Sequence, residues 1–243
     1  MPRALPKLWH DWRNDARELA IVIIGVFIAL LAQQVVQNWE WRNKIAAAKA
    51  AIRFELLVDD GPQMYQRVAM HPCLVIRLDG IGSAIEAGGD LGKIHRLVNA
   101  YWVDVRTFDT LALQAANTSD VASHMSQDEL ARFTFPYVRM PVLDRANADE
   151  AVALAQLRAF RSTGGPLSNE EKNGLLRAVE ALRNDDSLIS ASSAMMLPSI
   201  GQIGPLDRAR VHGFIAEARS HYGDCVKPLR LISTGLDGTD PRP

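Results

Sequence analysis

The sequence predicts an all-α protein: a single N-terminal transmembrane helix that continues into a helical bundle. Three observations carry this. Leu19–Ala32 is an unbroken run of Leu, Ala, Ile, Val, Gly and Phe, bracketed by Trp9 and Trp12 on one side and Trp39 and Trp41 on the other. Beyond it, apolar residues recur at helical spacing in segment after segment. Alternating β-branched runs bounded by turns hardly occur, and the best strand candidate, Cys73–Leu78, fits a helix equally well.

The elements follow in order. Residues 1–18 read as an N-terminal tail and 19–39 as a membrane span. From Trp12 to Trp39 a continuous helix would rise about 40 Å at ~1.5 Å per residue, close to a bilayer with its headgroups. Indole rings favour that interface because one edge is apolar and the N–H wants water. The apolar run alone is shorter than a span needs, so the helix must continue through Gln33, Gln34 and Gln37. These amides either sit at headgroup level or, for Gln33 and Gln37 on one face, hydrogen-bond between helices of an oligomer. A cleaved signal peptide and a soluble core helix are the competing readings. Against cleavage, Leu30 stands where a cut after Ala32 would want a small residue.

Residues 40–60 extend the anchor: Ile45, Ala48, Ile52 and Leu56 keep the period, and Asp60-Gly61-Pro62 supplies the stop. Residues 61–233 form the helical domain and 234–243 a flexible tail. Amphipathic faces are marked by Ile94, Leu97, Val98 and Tyr101, then by Leu175, Leu176, Val179 and Leu182, then by Val211, Phe214, Ile215 and Ala218. Helix starts are signalled by Ser126 with Glu129, Asn147 with Glu150, and Ser168 with Glu171, where cap and acid satisfy each other's backbone N–H groups. Asp207 caps the last long helix and Gly223 ends it. Connections are expected at Gly88-Gly89, Arg161–Leu167 and Leu197–Leu206.

The segments Glu18-Leu19, Gly25-Val26-Phe27-Ile28-Ala29-Leu30, Ala32-Gln33-Gln34-Val35-Val36 and Trp41-Arg42 resemble the N-terminus of a family of uncharacterised single-pass bacterial inner-membrane proteins, mainly proteobacterial. The resemblance covers the first fifty to sixty residues. It implies a bilayer partner and the bacterial inner membrane, but no activity and no catalytic residues. Relatives with strongly basic tails imply a periplasmic domain; here the tail is mixed in charge.

Orientation is balanced on the sequence alone. Arg3, Lys7, Arg13 and Arg17 flank one end of the span and Arg42, Lys44, Lys49 and Arg53 the other. A short leading tail and the even pair Cys73 and Cys225 favour a periplasmic domain, where the cysteines would close a loop worth up to roughly 5 kcal/mol. As buried thiols the same two residues would act as small hydrophobes.

Composition excludes some functions. With 27 basic and 28 acidic residues interleaved, the basic stripe that nucleic acid requires is missing. The six histidines are dispersed and none pairs one helical turn from another around a glutamate, so no metal site is expected. Ser190, Ser192 and Ser193 lack a nucleophile elbow, and Gly80-Ile81-Gly82-Ser83 lacks the lysine of a phosphate loop. The acid pairs Asp59-Asp60 and Asp185-Asp186 read as solvated helix ends. No catalytic residue and no cofactor is expected. Met195, Met196 and Leu197, next to Pro198 and Gly201, line either a pocket or partner groove or the core. Phe108, Leu111, Leu113, Phe133, Phe135 and Tyr137 read as core.

Two functions fit these features. The first is a membrane-anchored, non-enzymatic domain that binds itself or another envelope protein. The second is a periplasmic ligand-sensing bundle that signals through a partner chain.

Overall fold

The computed structural model describes residues 8–88, 90–104, 106–160 and 167–229, with the side chains of residues 8–15, Trp9 and Trp12 among them, outside the description. The connection expected at Arg161–Leu167 and the tail after Ser233 fall almost wholly outside it as well. Among the described residues the chain is all-helical, with no strand. The helices are α1 (Leu8–Phe54), α2 (Gly61–Glu86), α3 (Leu91–Asn99), α4 (Leu111–Thr118), α5 (Gln127–Ala159), α6 (Asn169–Ile203) and α7 (Arg208–Tyr222). Contacts divide the chain into two units, Met1–Ala47 and Ala48–Pro243.

In the first unit, α1 presents apolar side chains to its surroundings on every side. Ile21, Val22, Phe27, Leu31, Val35 and Trp39 are all exposed. This stretch is long and apolar enough to cross a membrane by length and composition. Gln33 and Gln37 are exposed on it, and Trp41 lies under the Lys44 ammonium, 5.0 Å from the ring centre.

In the second unit, α6 is the central helix, packed along both α2 and α5, while α7 lies against α2. The stripes read from sequence are the ones that turn inward. Ile94, Val98 and Tyr101 are buried, as are Leu175, Val179 and Leu182 on α6 and Val211, Ile215 and Ala218 on α7. Of the expected core aromatics and leucines, Phe108, Leu113, Phe133 and Tyr137 are buried, whereas Leu111 and Phe135 are exposed.

Caps fix the starts of the later helices. Ser126 accepts from Glu129 N–H at the start of α5, Ser168 and Glu171 form a reciprocal capping box on α6, and Asp207 accepts from Arg210 N–H on α7. Gly223 ends α7 with φ of 60°, a left-handed conformation natural to glycine. The Asn147 and Glu150 pair does not start a helix. Both lie inside α5, where the Asn147 amide donates to Leu143 O and Glu150 is buried.

Two expected stops are overrun. The helix entering from α1 does not end at Gly61-Pro62 but passes through a π-turn, Glu55–Asp60, directly into α2. Gly61 N–H donates to Leu56 O, five residues back, so the chain widens by one residue where Pro62 arrives without an N–H of its own. The π-turn leaves carbonyls for other donors, and the α6–α7 connection supplies them. Asp207 N–H donates to Leu57 O at 2.9 Å, and Arg210 Nε donates to Val58 O at 3.4 Å while its Nη2 donates to Asp59 at 2.8 Å. Gly61 lies under this crossing, where a Cβ would stand 2.4 Å from Leu206 Cδ2 and 2.6 Å from Leu56 O. Pro198 likewise fails to stop α6, which runs to Ile203 and so absorbs most of the loop expected at Leu197–Leu206.

Cys73 on α2 and Cys225, just after α7, are joined in a disulfide with Cα atoms 5.8 Å apart and 152 residues between them in sequence. Removing such a cross-link relaxes the unfolded chain by roughly 4–5 kcal/mol on the loop-entropy model.

Candidate functional site

Four polar residues occupy positions on buried stripes where an apolar side chain would be expected. Arg67 follows Met64 on α2; Glu150 stands between Ala146 and Ala153 on α5; Asp186 stands between Leu182 and Ile189 on α6. His71, one turn beyond Arg67, completes the set. The three stripes converge, and their polar members meet inside the domain. Arg67 Nη2 forms an ion pair with Glu150 Oε1 and lies 3.1 Å from Asp186 Oδ1. Asp186 Oδ2 is 2.6 Å from His71 Nδ1, and Tyr101 OH lies 3.5 Å from Glu150 Oε1.

Burial drives the Glu150 and Asp186 carboxyls above their ordinary range, against the opposing pull of Arg67. Burial also works to discharge Arg67, but the two carboxylates more than offset it and hold the guanidinium charged. One cation faces two acids, so neutrality calls for a further proton, and the raised carboxyls favour holding it.

Arg67 also lines a small cavity of about 20 Å³, together with Gln66, Met70, Asn147 and Ile189, which Gln63, Asp104 and Arg106 help to enclose. The last three also line a wider, open cleft of about 580 Å³, whose other walls include Asp59, Asp60, Asp109, Phe214 and Glu217.

The segment between α3 and α4 brings Asp104, Arg106 and Asp109 to this cleft without helix or strand, held instead by side chains. Tyr222 OH accepts from Trp102 N–H at 2.8 Å and donates to Trp102 O at 2.6 Å, and the indole of Trp102 stacks on His221. Arg158 donates to Tyr101 O, Asp144 accepts from Phe108 N–H, and Glu55 accepts from Ala112 N–H. The opposite wall is tied by Gln66, whose amide donates to Phe214 O at 2.9 Å.

Arg106 lies flat over Phe214, its guanidinium carbon 4.0 Å from the ring centre, and pairs with Asp104 and with Glu217 at 3.1 Å. Asp60, only 1 % exposed, lines the cleft from the π-turn. Its carboxyl takes a backbone hydrogen bond from Asp109, yet Oδ2 has no partner among the described residues. Burial, then Glu55 and Asp109, and more weakly Asp59, push the Asp60 carboxyl up to about 8.

Several residues singled out from sequence lie elsewhere. Met196 and Leu197 are buried in α6 and Met195 is 53 % exposed; none of the three lines the cleft. Ser190, Ser192 and Ser193 are buried on the same helix. The solvated reading of Asp59-Asp60 and Asp185-Asp186 fails for the second acid of each pair, because Asp60 and Asp186 fall on inward faces. Among the described residues no group of His, Cys, Asp and Glu is arranged to hold a metal ion. The chain matches no protein-family model, no curated protein and no solved structure, so the chemistry of the cleft rests on its own residues.

An acid held up to about 8 when folded and near 3.8 when unfolded keeps its proton longer in the folded state. Its contribution to stability is therefore full at low pH and falls by about 1.4 kcal/mol per pH unit as pH rises between those values. Asp60→Asn removes this term. Thermal unfolding from about pH 5 to about pH 8 is expected to show the variant gaining on the parent steadily with pH; parallel profiles would contradict the assignment.

Proposed function

We propose that the chain is a single-pass membrane protein whose disulfide-closed helical domain stands outside the cytoplasm and binds a small solute in the cleft beside Asp60. The cleft carries the reading: Asp60, whose Oδ2 is buried without a partner among the described residues, lines an open, polar-walled space framed by four elements, the π-turn, α2, the α3–α4 segment and α7. Folded domains rarely leave such an atom unsatisfied, because it costs about 1–3 kcal/mol, and ligand sites are where that cost is offset. The anchor is supported by the exposed apolar surface of α1 from Leu19 to Trp39, which water would not tolerate at that extent. The compartment is supported by the Cys73–Cys225 disulfide, since such bonds persist where the surroundings are oxidising. In a bacterial inner-membrane protein, which the N-terminus resembles, that compartment would be the periplasm.

Association with a second copy or an envelope protein is a second reading, favoured by one observation. Phe135, Val138 and Val142, at steps of three and then four residues along one face of α5, are left exposed among the described residues.

Compartment and cleft can be tested separately. A membrane-impermeant maleimide added to intact spheroplasts, with a denatured control for buried thiols, is expected to label Cys73 and Cys225 only after reduction; labelling that waits for membrane rupture would place the domain in the cytoplasm.

For the cleft, thermal unfolding of the full chain in detergent is followed across a panel of cationic, anionic and neutral solutes. A specific ligand at 100 times its Kd stabilises by about 2.7 kcal/mol, or roughly 5–10 °C in a domain of this size. At least one solute is expected to reach that shift and to lose it in Thr107→Trp, which fills the cleft from an exposed position. A panel without a hit, or a hit indifferent to Thr107→Trp, would overturn the reading.

A further inference from the structure

The cleft wall is strongly and unevenly acidic. Asp59, Asp60, Asp104, Asp109 and Glu217 line it, with Arg106 the cation among them. The charge falls into two foci. Around Arg106, Asp104 and Glu217 share a single cation and together keep one negative charge, while the guanidinium rests on Phe214. This focus is a built-in example of how the cleft holds a cation: two carboxylates at the edges and an aromatic face beneath. The other focus gathers Asp60, Asp109, Asp59 and the neighbouring Glu55, and of these Asp59 is matched by Arg210 at 2.8 Å. At this focus Asp60 Oδ2 and Gln63 Oε1 are both buried acceptors without a donor among the described residues, and both residues line the cleft.

Two acceptors and an excess of negative charge ask for a cation that donates several hydrogen bonds at once. A metal ion would need a closer set of oxygen ligands than the described residues offer. A quaternary ammonium has no N–H to give. Both oxygens are closed to water as they stand, so a cation reaches them only as the two side chains turn towards the cleft, and a primary ammonium on a slender alkyl chain brings three donors there at the least width. The second focus, beside Phe214, lies along the same cleft and suits a second ammonium.

We propose that the cleft binds an aliphatic polyamine, one primary ammonium seated on Asp60 Oδ2 and Gln63 Oε1 and the next drawn towards the carboxylates of Asp104 and Glu217. This rests on the cleft being a solute site and names the class of solute. The ammonium takes the place of the proton that Asp60 otherwise retains.

Isothermal titration of the full chain in detergent with spermidine and with putrescine, at fixed ionic strength, tests it. Saturable one-site binding is expected for spermidine, weaker for putrescine. Asp60→Asn is expected to weaken it at least tenfold and Asp109→Asn, on the exposed loop, several-fold, while Asp79→Asn, an acid outside the cleft, leaves it unchanged. Equal loss in all three variants, or displacement by Mg²⁺ at matched ionic strength, would reduce the effect to surface charge and overturn the proposal. Absence of binding would overturn it as well. In that case a panel hit from another chemical class, abolished by Thr107→Trp, would leave the cleft standing as a solute site, whereas an empty panel would remove both.

Discussion

A buried guanidinium cannot stand alone, and the packing of this domain is organised around that constraint. Taking Arg67 out of water costs several kcal/mol after relaxation, and the cost is recovered only if counter-charges meet it with good geometry. Glu150 comes from α5 and Asp186 from α6, so the requirement is met only when α2, α5 and α6 are in one register. A slip of any helix by one residue would rotate a charge away and leave another uncompensated. Apolar stripes alone would permit several such registers. The same geometry sets Arg67 into the lining of the small cavity that shares Gln63, Asp104 and Arg106 with the cleft, so the contact that fixes the register also shapes the surroundings of the site.

The π-turn plays the corresponding part for the backbone. Pro62 withholds a donor from the helix, and the carbonyls of Leu57 and Val58 are taken up by Asp207 N–H and Arg210 from the crossing connection. That crossing brings α7, with Phe214 and Glu217, against the turn that carries Asp59 and Asp60. A proline that would break an isolated helix thus becomes the point where two distant segments are joined. Gly61 is part of the same arrangement, since Leu206 occupies the space where any side chain would project.

This distinction between local and assembled features decides what was legible in the sequence. Periodicity identified the inward faces around Val98, Val179 and Ile215, and the caps at Ser126, Ser168 and Asp207 marked true helix starts, because both are properties of a single segment. The anchor-like run was plain for the same reason. Prolines 62 and 198 were misleading, since what lets a helix continue through them is a partner segment or a changed hydrogen-bond register. The site was largely illegible. Asp60 and Asp186 each follow another Asp, and paired acids read as solvated. Asn147 with Glu150 imitates a capping box at a place where tertiary packing prevails. A signal was nevertheless present: Asp186 lies four residues after Leu182 and three before Ile189, and Glu150 four after Ala146 and three before Ala153, so each charge interrupts an apolar stripe at an inward position. A lone charge on such a stripe asks for a partner, but only the assembled fold says which one.

The central claim, that the charge on Arg67 is what registers the three helices, is tested most directly by a double-mutant cycle on the full chain in detergent, with urea unfolding as the readout for Arg67→Met, Glu150→Leu and the pair. Arg67→Met strands two buried acids and is expected to cost about 3–5 kcal/mol, Glu150→Leu leaves Arg67 paired with Asp186 alone and costs less, and the pair costs less than the sum by at least about 1 kcal/mol. Additive costs, with no coupling between the two positions, would contradict the account.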